Sequence, residues 1–383
     1  DVQLAGARIT GNGVSLEAGS LTFSGSMIAS TGMNLTTDGD LVNFGGTLSA
    51  ATMDLTAGAT LANLSGQISG GSIRLTGQDI RNETLARTVD VHSGTMQTNQ
   101  QRAAITASGP LIVNAARDLT STGGTLSSGG DMNLSAGRDV KLETLKTETS
   151  FQIGRGGSST RVDSSGHQGS SVDAGGNLTV TAGRDLSVLG SSVAATGDTS
   201  LAAGGDVTIA AVENRHRTEL TAGRYHSVQD RGETVGSMVD TGGSLKITSG
   251  GDTAITASSL LAGEDLAVAA AGNLTIEGAN STQVAQESNK SSGFLRSKES
   301  RSNSSEDVYT GSMLLSGGDI SLTSGQDLTV TGSSIIGAGD VALSGDSVTL
   351  DTGQAAFDSY TYEKKSGLFA GRSPSGSGFS VGY

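Results

Sequence analysis

The chain repeats itself at two nested periods, and no other feature restricts its fold as strongly. Near its start Gly13-Val-Ser-Leu16, Gly32-Met-Asn-Leu35, Thr52-Met-Asp-Leu55 and Ser72-Ile-Arg-Leu75 recur about every 20 positions, with Leu21, Leu41 and Leu61 in step. Further along, Ser108-Gly-Pro-Leu111, Gly175-Gly-Asn-Leu178 and Gly242-Gly-Ser-Leu245 stand at equal, longer intervals, and Gly317-Gly-Asp-Ile320 follows after a slightly longer one. A fixed period implies stacked copies of one unit, none of which can bury its apolar face alone. The expected product is a rod, whose usual task is reach rather than chemistry.

Within each repeat apolar residues alternate with small polar ones, as in Leu178-Thr-Val180, Leu186-Ser-Val188 and Val207-Thr-Ile209. Alternation of period 2 marks a strand with one buried face. The runs are short and end at Gly-Gly, Gly-Asp or Gly-Arg-Asp, where glycine accepts positive φ and aspartate bonds nearby backbone. Asp118 to Asp139, Asp185 to Asp206 and Asp252 to Asn273 are equal steps, one unit again. Such strands cannot be hairpins of one flat sheet. The expected fold is all-β: an elongated right-handed parallel β-helix of about 20-residue coils, with roughly 12 to 16 coils and a length of roughly 60–75 Å. A core of Leu, Val, Ile and Ala ladders fits a narrow interior packed by small side chains.

The coil rhythm holds over 1–86 and then gives way to the larger repeats of 87–383. Those repeats are interrupted by excursions near 143–174, 212–241, 278–316 and 355–383, with a shorter break near 87–107. The excursions follow equivalent points of the repeat, so they are expected to protrude from a similar place as β-hairpins or loops. Ten of the 12 aromatic residues lie in the four long ones, and only Phe23 and Phe44 remain in the coils. Of the 24 Lys and Arg residues, 14 lie there too. Aromatics and arginine on loops carry much of the binding energy of interfaces. Phe151, Tyr225, Phe294, Tyr309, Tyr360, Tyr362 and Phe369 are therefore the candidate partner-binding residues. The plainer reading is that these segments are extra strands whose aromatics cover the rod's flank.

Two sets of strings carry a family resemblance. Leu41-Val-Asn-Phe-Gly-Gly-Thr-Leu-Ser-Ala50 and Leu61-Ala-Asn-Leu-Ser-Gly-Gln-Ile-Ser-Gly70 resemble the haemagglutinin repeat of filamentous haemagglutinin. Gly129-Gly-Asp-Met-Asn-Leu-Ser-Ala-Gly-Arg-Asp-Val140 and Gly175-Gly-Asn-Leu-Thr-Val-Thr-Ala-Gly-Arg-Asp-Leu186 resemble its second repeat class, shared with contact-dependent growth-inhibition toxins. The resemblance spans essentially the whole chain. It implies an exoprotein of a Gram-negative bacterium that crosses the outer membrane through a two-partner-secretion transporter and folds outside as a surface fibre. The implied role is adhesion, or presentation and delivery of a toxin to neighbouring cells. A target-cell receptor, or the target's outer membrane engaged during toxin translocation, would be the partner. The chain opens on Asp1 inside a repeat with no signal-peptide pattern, and an excised fragment is expected.

Signals for chemistry are weak. The net charge of −14 gives no support to nucleic-acid binding. The absence of cysteine excludes disulfides and thiol catalysis. The recurring Asp118, Asp139, Asp185, Asp206 and Asp327 suit turns better than calcium, since the GGxGxDxUx nonapeptide is missing. They also follow the repeat, whereas the catalytic carboxylates of a β-helical polysaccharide-cleaving enzyme should break it at one place. The four histidines lack ligand spacing. No catalysis, cofactor or metal is expected. The sequons at Asn34, Asn63, Asn133, Asn177 and Asn273 read as strand-flanking residues. Phe379, Val381 and Tyr383 alternate as in a barrel strand, though an exposed hairpin arm or a frayed terminus is the plainer account.

Overall fold

The computed structural model describes residues 1–91, 93–294 and 296–367, together with the backbone of 369–372 and 379–382. Its strands form an all-β solenoid with no helix among the described residues. One coil runs through three short strands, for instance Ser171–Ala174, Leu178–Ala182 and Leu186–Leu189. Each strand pairs in parallel with its counterpart one coil away, so the 31 strands of the rod make three sheet faces. On the third face twelve successive parallel pairings run from Val2–Ala18 to Ser347–Asp351. At roughly 4.8 Å per rung the stack is about 60 Å long, at the short end of the expected range.

The core consists of columns of equivalent residues. Leu16, Leu35, Leu55, Leu75, Val113, Leu134, Val180, Leu201, Ile247, Val268, Leu322 and Leu343 follow one another through the second face. Two positions further on, the column holds small residues such as Ala115, Ala136, Ala182 and Ala203. There the chain closes toward a corner and a large side chain has no room. Outward neighbours such as Thr179 are exposed, as the alternation requires.

Polar ladders tie the corners together. Asn43, Asn63 and Asn82 are fully buried one above another. The Asn43 Nδ2 donates to Asn63 Oδ1 at 2.9 Å, and the Asn63 Nδ2 donates to Asn82 Oδ1 at 2.8 Å. This explains the Asn-x-x-Gly of the two haemagglutinin-like strings. Each amide also donates to the carbonyl of Gly46 or Gly66, both at 3.0 Å, and a Cβ at Gly66 would overlap the Asn43 Nδ2. Asn63 is therefore a core residue, not the strand-flanking one its sequon suggested; buried amides must find partners, and identical amides one coil apart supply them.

The recurring aspartates also differ in detail from expectation. They accept hydrogen bonds from the next coil rather than from their own turn. Asp185 Oδ1 accepts from the Asp206 N–H (3.0 Å), Asp206 Oδ1 from Asp252 (2.8 Å) and Asp252 Oδ1 from Asn273 (2.7 Å). The Gly-Arg-Asp strings add a second link. Arg138 Nε reaches Asp118 Oδ1 at 3.1 Å, and Arg184 Nε reaches Asp139 Oδ1 at 2.7 Å, each arginine pairing with the aspartate one coil back.

Candidate functional site

The excursions are β-hairpins, and all leave the rod at one corner, between a third-face strand and the next first-face strand. Their arms are Ala86–Val91 with Gly94–Asn99, Leu145–Arg155 with Ser158–Gln168, Val212–Ala222 with Tyr225–Val235, and Ala279–Gly293 with Arg296–Thr310. Phe357–Gly367 adds one more strand. Neighbouring hairpins pair edge to edge in antiparallel fashion, giving a continuous nine-stranded sheet that runs beside the rod like a fin.

The reason is a match of spacings. Two coils separate successive hairpins, and two rungs rise about 9.6 Å; one hairpin adds two strands, also about 9.6 Å. Each hairpin therefore meets the next in hydrogen-bonding distance without bending. The longer step from Gly242 to Gly317 follows too. The arms of the third long hairpin have 15 residues each against 11 in the preceding one, which accounts for the whole of the difference.

A ladder of serines clasps the roots. Ser170, Ser237 and Ser312 sit where each long hairpin returns. The Ser170 Oγ is 2.8 Å from the Glu143 carbonyl, the Ser237 Oγ 2.7 Å from that of Ala210 and the Ser312 Oγ 2.6 Å from that of Glu277. Each carbonyl belongs to the last residue of the departing strand, so the hydroxyl closes the hairpin's base. The intervening coils supply Ser191, Ser258 and Ser333, whose hydroxyls accept the N–H groups of Ser170, Ser237 and Ser312. These serines keep step with the longer repeat, so the signal was present in the sequence; serine's commonness in turns hid it.

On one face of the fin charged side chains interlock across strands. Arg161 Nε reaches Asp163 Oδ2 at 2.7 Å, and Ser150 Oγ donates to the same carboxylate at 2.6 Å. The Arg161 guanidinium holds the Asp163 carboxyl below its ordinary range. Arg215 Nε reaches the nearly buried Asp230 at 2.8 Å, and Arg215 before Arg217 keeps that carboxyl low as well. The His226 ring, 2.9 Å from Glu219, does the same for that glutamate. Opposite charges of this kind, two residues apart along a strand or diagonal across a pair, support an antiparallel sheet whose arms are largely polar.

The candidate aromatics are not brought together. Phe151 is half-buried, opposite Val162 and Gly94, where a Cβ would come within 2.6 Å of the Phe151 Cα. The Tyr225 hydroxyl lies 3.4 Å from Glu287. Tyr309 serves the fold: its hydroxyl accepts the Gly278 N–H and donates to the Thr331 carbonyl, both at 2.9 Å, while its ring covers Gly332 and Gly353. Tyr360 and Tyr362 share one face of the edge strand, in register with Asn303 and Arg301. Phe294, at the turn of the longest hairpin, is 96% exposed. The backbone of Phe369–Arg372 pairs with Phe379–Gly382; the side chain of Phe369, like His92 and Tyr383, lies outside the described residues. Among the described residues no three His, Cys, Asp or Glu side chains are close enough to hold a metal ion, and no helix is long and apolar enough to cross a membrane.

Comparison with known proteins agrees with this architecture. The family described as "Hemagglutinin repeat" matches residues 150–224, 220–297 and 295–383, and a second "Haemagglutinin repeat" family matches 1–45, 45–85 and 84–167. Over 301 residues, 74% of the chain, it is 30% identical to the deoxyribonuclease CdiA of Dickeya dadantii, covering 9% of that protein. It is 32% identical to the 16S rRNA endonuclease CdiA of Enterobacter cloacae over 38% of the chain and 4% of that protein. The tRNA nuclease CdiA-2 of Burkholderia pseudomallei is 27% identical over 52% of the chain and 6% of its own length. The chain thus spans less than a tenth of each of these three relatives. No solved structure matches it.

Proposed function

The chain belongs to the haemagglutinin-repeat family, and on that premise we propose that it is a non-catalytic fibre segment of a bacterial surface exoprotein. In this reading the parent protein leaves the cell through an outer-membrane two-partner-secretion transporter. The rod then holds an adhesive or toxic module away from the producing cell and presents it to a neighbour. The toxic reading draws on the nuclease names of relatives many times longer than this segment. No nuclease chemistry is assigned to the repeats themselves.

One observation carries the proposal. The recurrent corner aspartates and the buried asparagines, residue types an enzyme would aim at a substrate, are instead spent on the coil above or below, as in the Asp185–Asp206–Asp252 run and the Asn43–Asn63–Asn82 stack. What such a stack supplies is stiffness. Contact with a target cell's receptor or outer membrane would fall to the fin, where Phe294 and Tyr360 are exposed, rather than to Tyr309, which the corner occupies.

The test is a growth-inhibition assay with a parent exoprotein carrying this segment. Leu178→Asp puts an unpaired charge into the dry column and is expected to abolish both the rod, seen by small-angle scattering, and target-cell killing. Thr179→Asp, on the outward side of the same strand, is expected to change neither. Killing that survives with the rod collapsed would refute a role as a stiff spacer.

A further inference from the structure

The core of the rod is not uniform along its length. Among the described residues, Thr199 is the one polar side chain in a second-face column that runs from Met33 through Leu178 and Leu245 to Ile320. Thr253 stands alone in the same way in a third-face column that runs from Leu21 through Val207 and Leu274 to Leu328. Both are fully buried, and both stand at one interface, between the coil of residues 192–210 and the coil of 238–256. Thr199 meets Leu245 across it, and Thr253 meets Val207. The small-residue columns change at the same place: Thr241 lies opposite Ala195 and Ser249 opposite Ala203. One interface earlier, Thr199 is the only inward residue that brings a hydroxyl.

A hydroxyl carried into an apolar stack loses its water and must find a partner there. Ser249 and Thr253 share a bond of 2.7 Å, and Thr241 donates to the Gly197 carbonyl. The Thr199 Oγ1 has no partner. Closing this interface therefore stabilises the rod less than closing its neighbours does, since apolar contact is lost and one hydroxyl stays unbonded. The hydroxyls are also unevenly placed. Thr241 and Thr199 flank the corner between the first and second faces, and Ser249 and Thr253 flank the corner between the second and third. At the remaining corner, from which the fin departs, the pairs Val193–Val239 and Ile209–Ile255 stay aliphatic. There Ser237 Oγ donates to the Ala210 carbonyl at 2.7 Å and accepts the Ser191 N–H at 3.4 Å, and the fin strands pair alongside without a break.

We propose that the rod bends at this interface, the second face opening between Thr199–Ala203 and Leu245–Ser249 while the fin corner holds as the pivot. The molecule is then two stiff segments joined at one yielding step, with the fin as the leaf of the hinge. A jointed rod can swing whatever lies at its end, which a uniform stack cannot. The inference rests on the packing of the core and not on what the rod presents.

Native-state hydrogen exchange of the full chain locates the step. The Thr199 N–H donates to the Ser244 carbonyl at 2.9 Å and the Gly250 N–H to that of Ala203 at 3.0 Å, both across the side that opens. Their counterparts one interface earlier are the Leu178 N–H on Asp198 (2.9 Å) and the Gly204 N–H on Ala182 (3.0 Å). Thr199 and Gly250 are expected to be protected roughly tenfold less than Leu178 and Gly204. Ala211 and Met238, whose N–H groups cross the same interface at the pivot, should be protected as well as Gly190 and Ser192 are. Thr199→Val/Thr253→Val keeps the side-chain shape and removes both hydroxyls, so it should bring residues 199 and 250 to the protection of their counterparts. The chain has no cysteine, so spin labels on Asn133→Cys/Ser321→Cys report a single separation, about 24 Å along the outward second face. That distribution should extend to longer distances in the otherwise unaltered chain and narrow when the two valines are added. Equal protection at the two interfaces, exchange unchanged by the valines, or one narrow separation without them overturns the proposal. Loss of protection at Ala211 and Met238 to the same degree as at Thr199 overturns it too, because the coils would then part instead of bending.

Discussion

Replacing Asn63 by alanine tests the buried amide ladder directly. Asn63 is fully buried, and its amide nitrogen donates to Asn82 Oδ1 at 2.8 Å and to the Gly66 carbonyl at 3.0 Å. Its oxygen accepts from Asn43 at 2.9 Å. Alanine would strand one acceptor, the Asn82 oxygen, and remove one of the two acceptors of the Asn43 amide, while the Gly66 carbonyl would keep the Ala104 N–H at 3.0 Å. A buried group left without a partner costs about 1–3 kcal/mol, and that is the expected loss. Asn43 offers a comparison within the same ladder. Its Oδ1 has no partner, because Phe23 occupies the equivalent position one coil earlier. Asn43→Ala would remove an oxygen that is already unsatisfied and should cost less than Asn63→Ala. A stack of repeats opens locally, so the suitable assay is native-state hydrogen exchange of the amides in Leu41–Phe44 and Thr60–Leu64. If Asn63→Ala lowers their opening free energy by less than about 1 kcal/mol, or by no more than Asn43→Ala does, the account of the ladder is wrong.

Three further outcomes are expected. Ala257 holds φ +46° at the corner where Gly190 and Gly332, its counterparts in the neighbouring long repeats, hold +52°; Ala257→Gly should raise stability by up to about 1 kcal/mol in urea melts, since that conformation strains a residue with a Cβ. Gly190→Ala should lower it, its Cβ meeting Val212 at 2.6 Å. Acid should weaken the Gly-Arg-Asp links. Arg138 and Arg184 hold the carboxyls of Asp118 and Asp139 below their ordinary range, so their stabilisation is complete above the unfolded carboxyl value near 4 and drains away as pH falls further through the folded values. Melting temperature should therefore hold from pH 7 to about 5 and drop below about 4, with a smaller drop in Asp139→Asn. Finally, deleting one coil between two hairpins, residues 171–191, leaves a single rung where two strands must fit. The rod should persist while exchange protection across the Ser158–Gln168 and Val212–Ala222 pairing is lost; retained protection would show that the matching of spacings does not build the fin.

The coil was legible in the residues because its information is local. Alternation such as Leu178-Thr-Val180 assigns inside and outside, glycine marks the corners, and the short period says that like stacks on like. The hairpin arms were legible only as interruptions. In Arg296–Thr310, nearly every residue is polar on both faces, so no hydrophobic pattern states which strand it joins or in which register. Their pairing depends on residues two coils apart meeting at strand spacing, which follows from the rise of the folded rod and from no stretch of sequence. The cations at the tip of the fin are of the same kind: Arg296 and Lys365 lie in different long repeats and share a surface only because the edge strand lands beside the longest hairpin. Local alternation thus determined the solenoid, while the fin and the surfaces it carries were decided when two stacked coils came to equal the width of one hairpin.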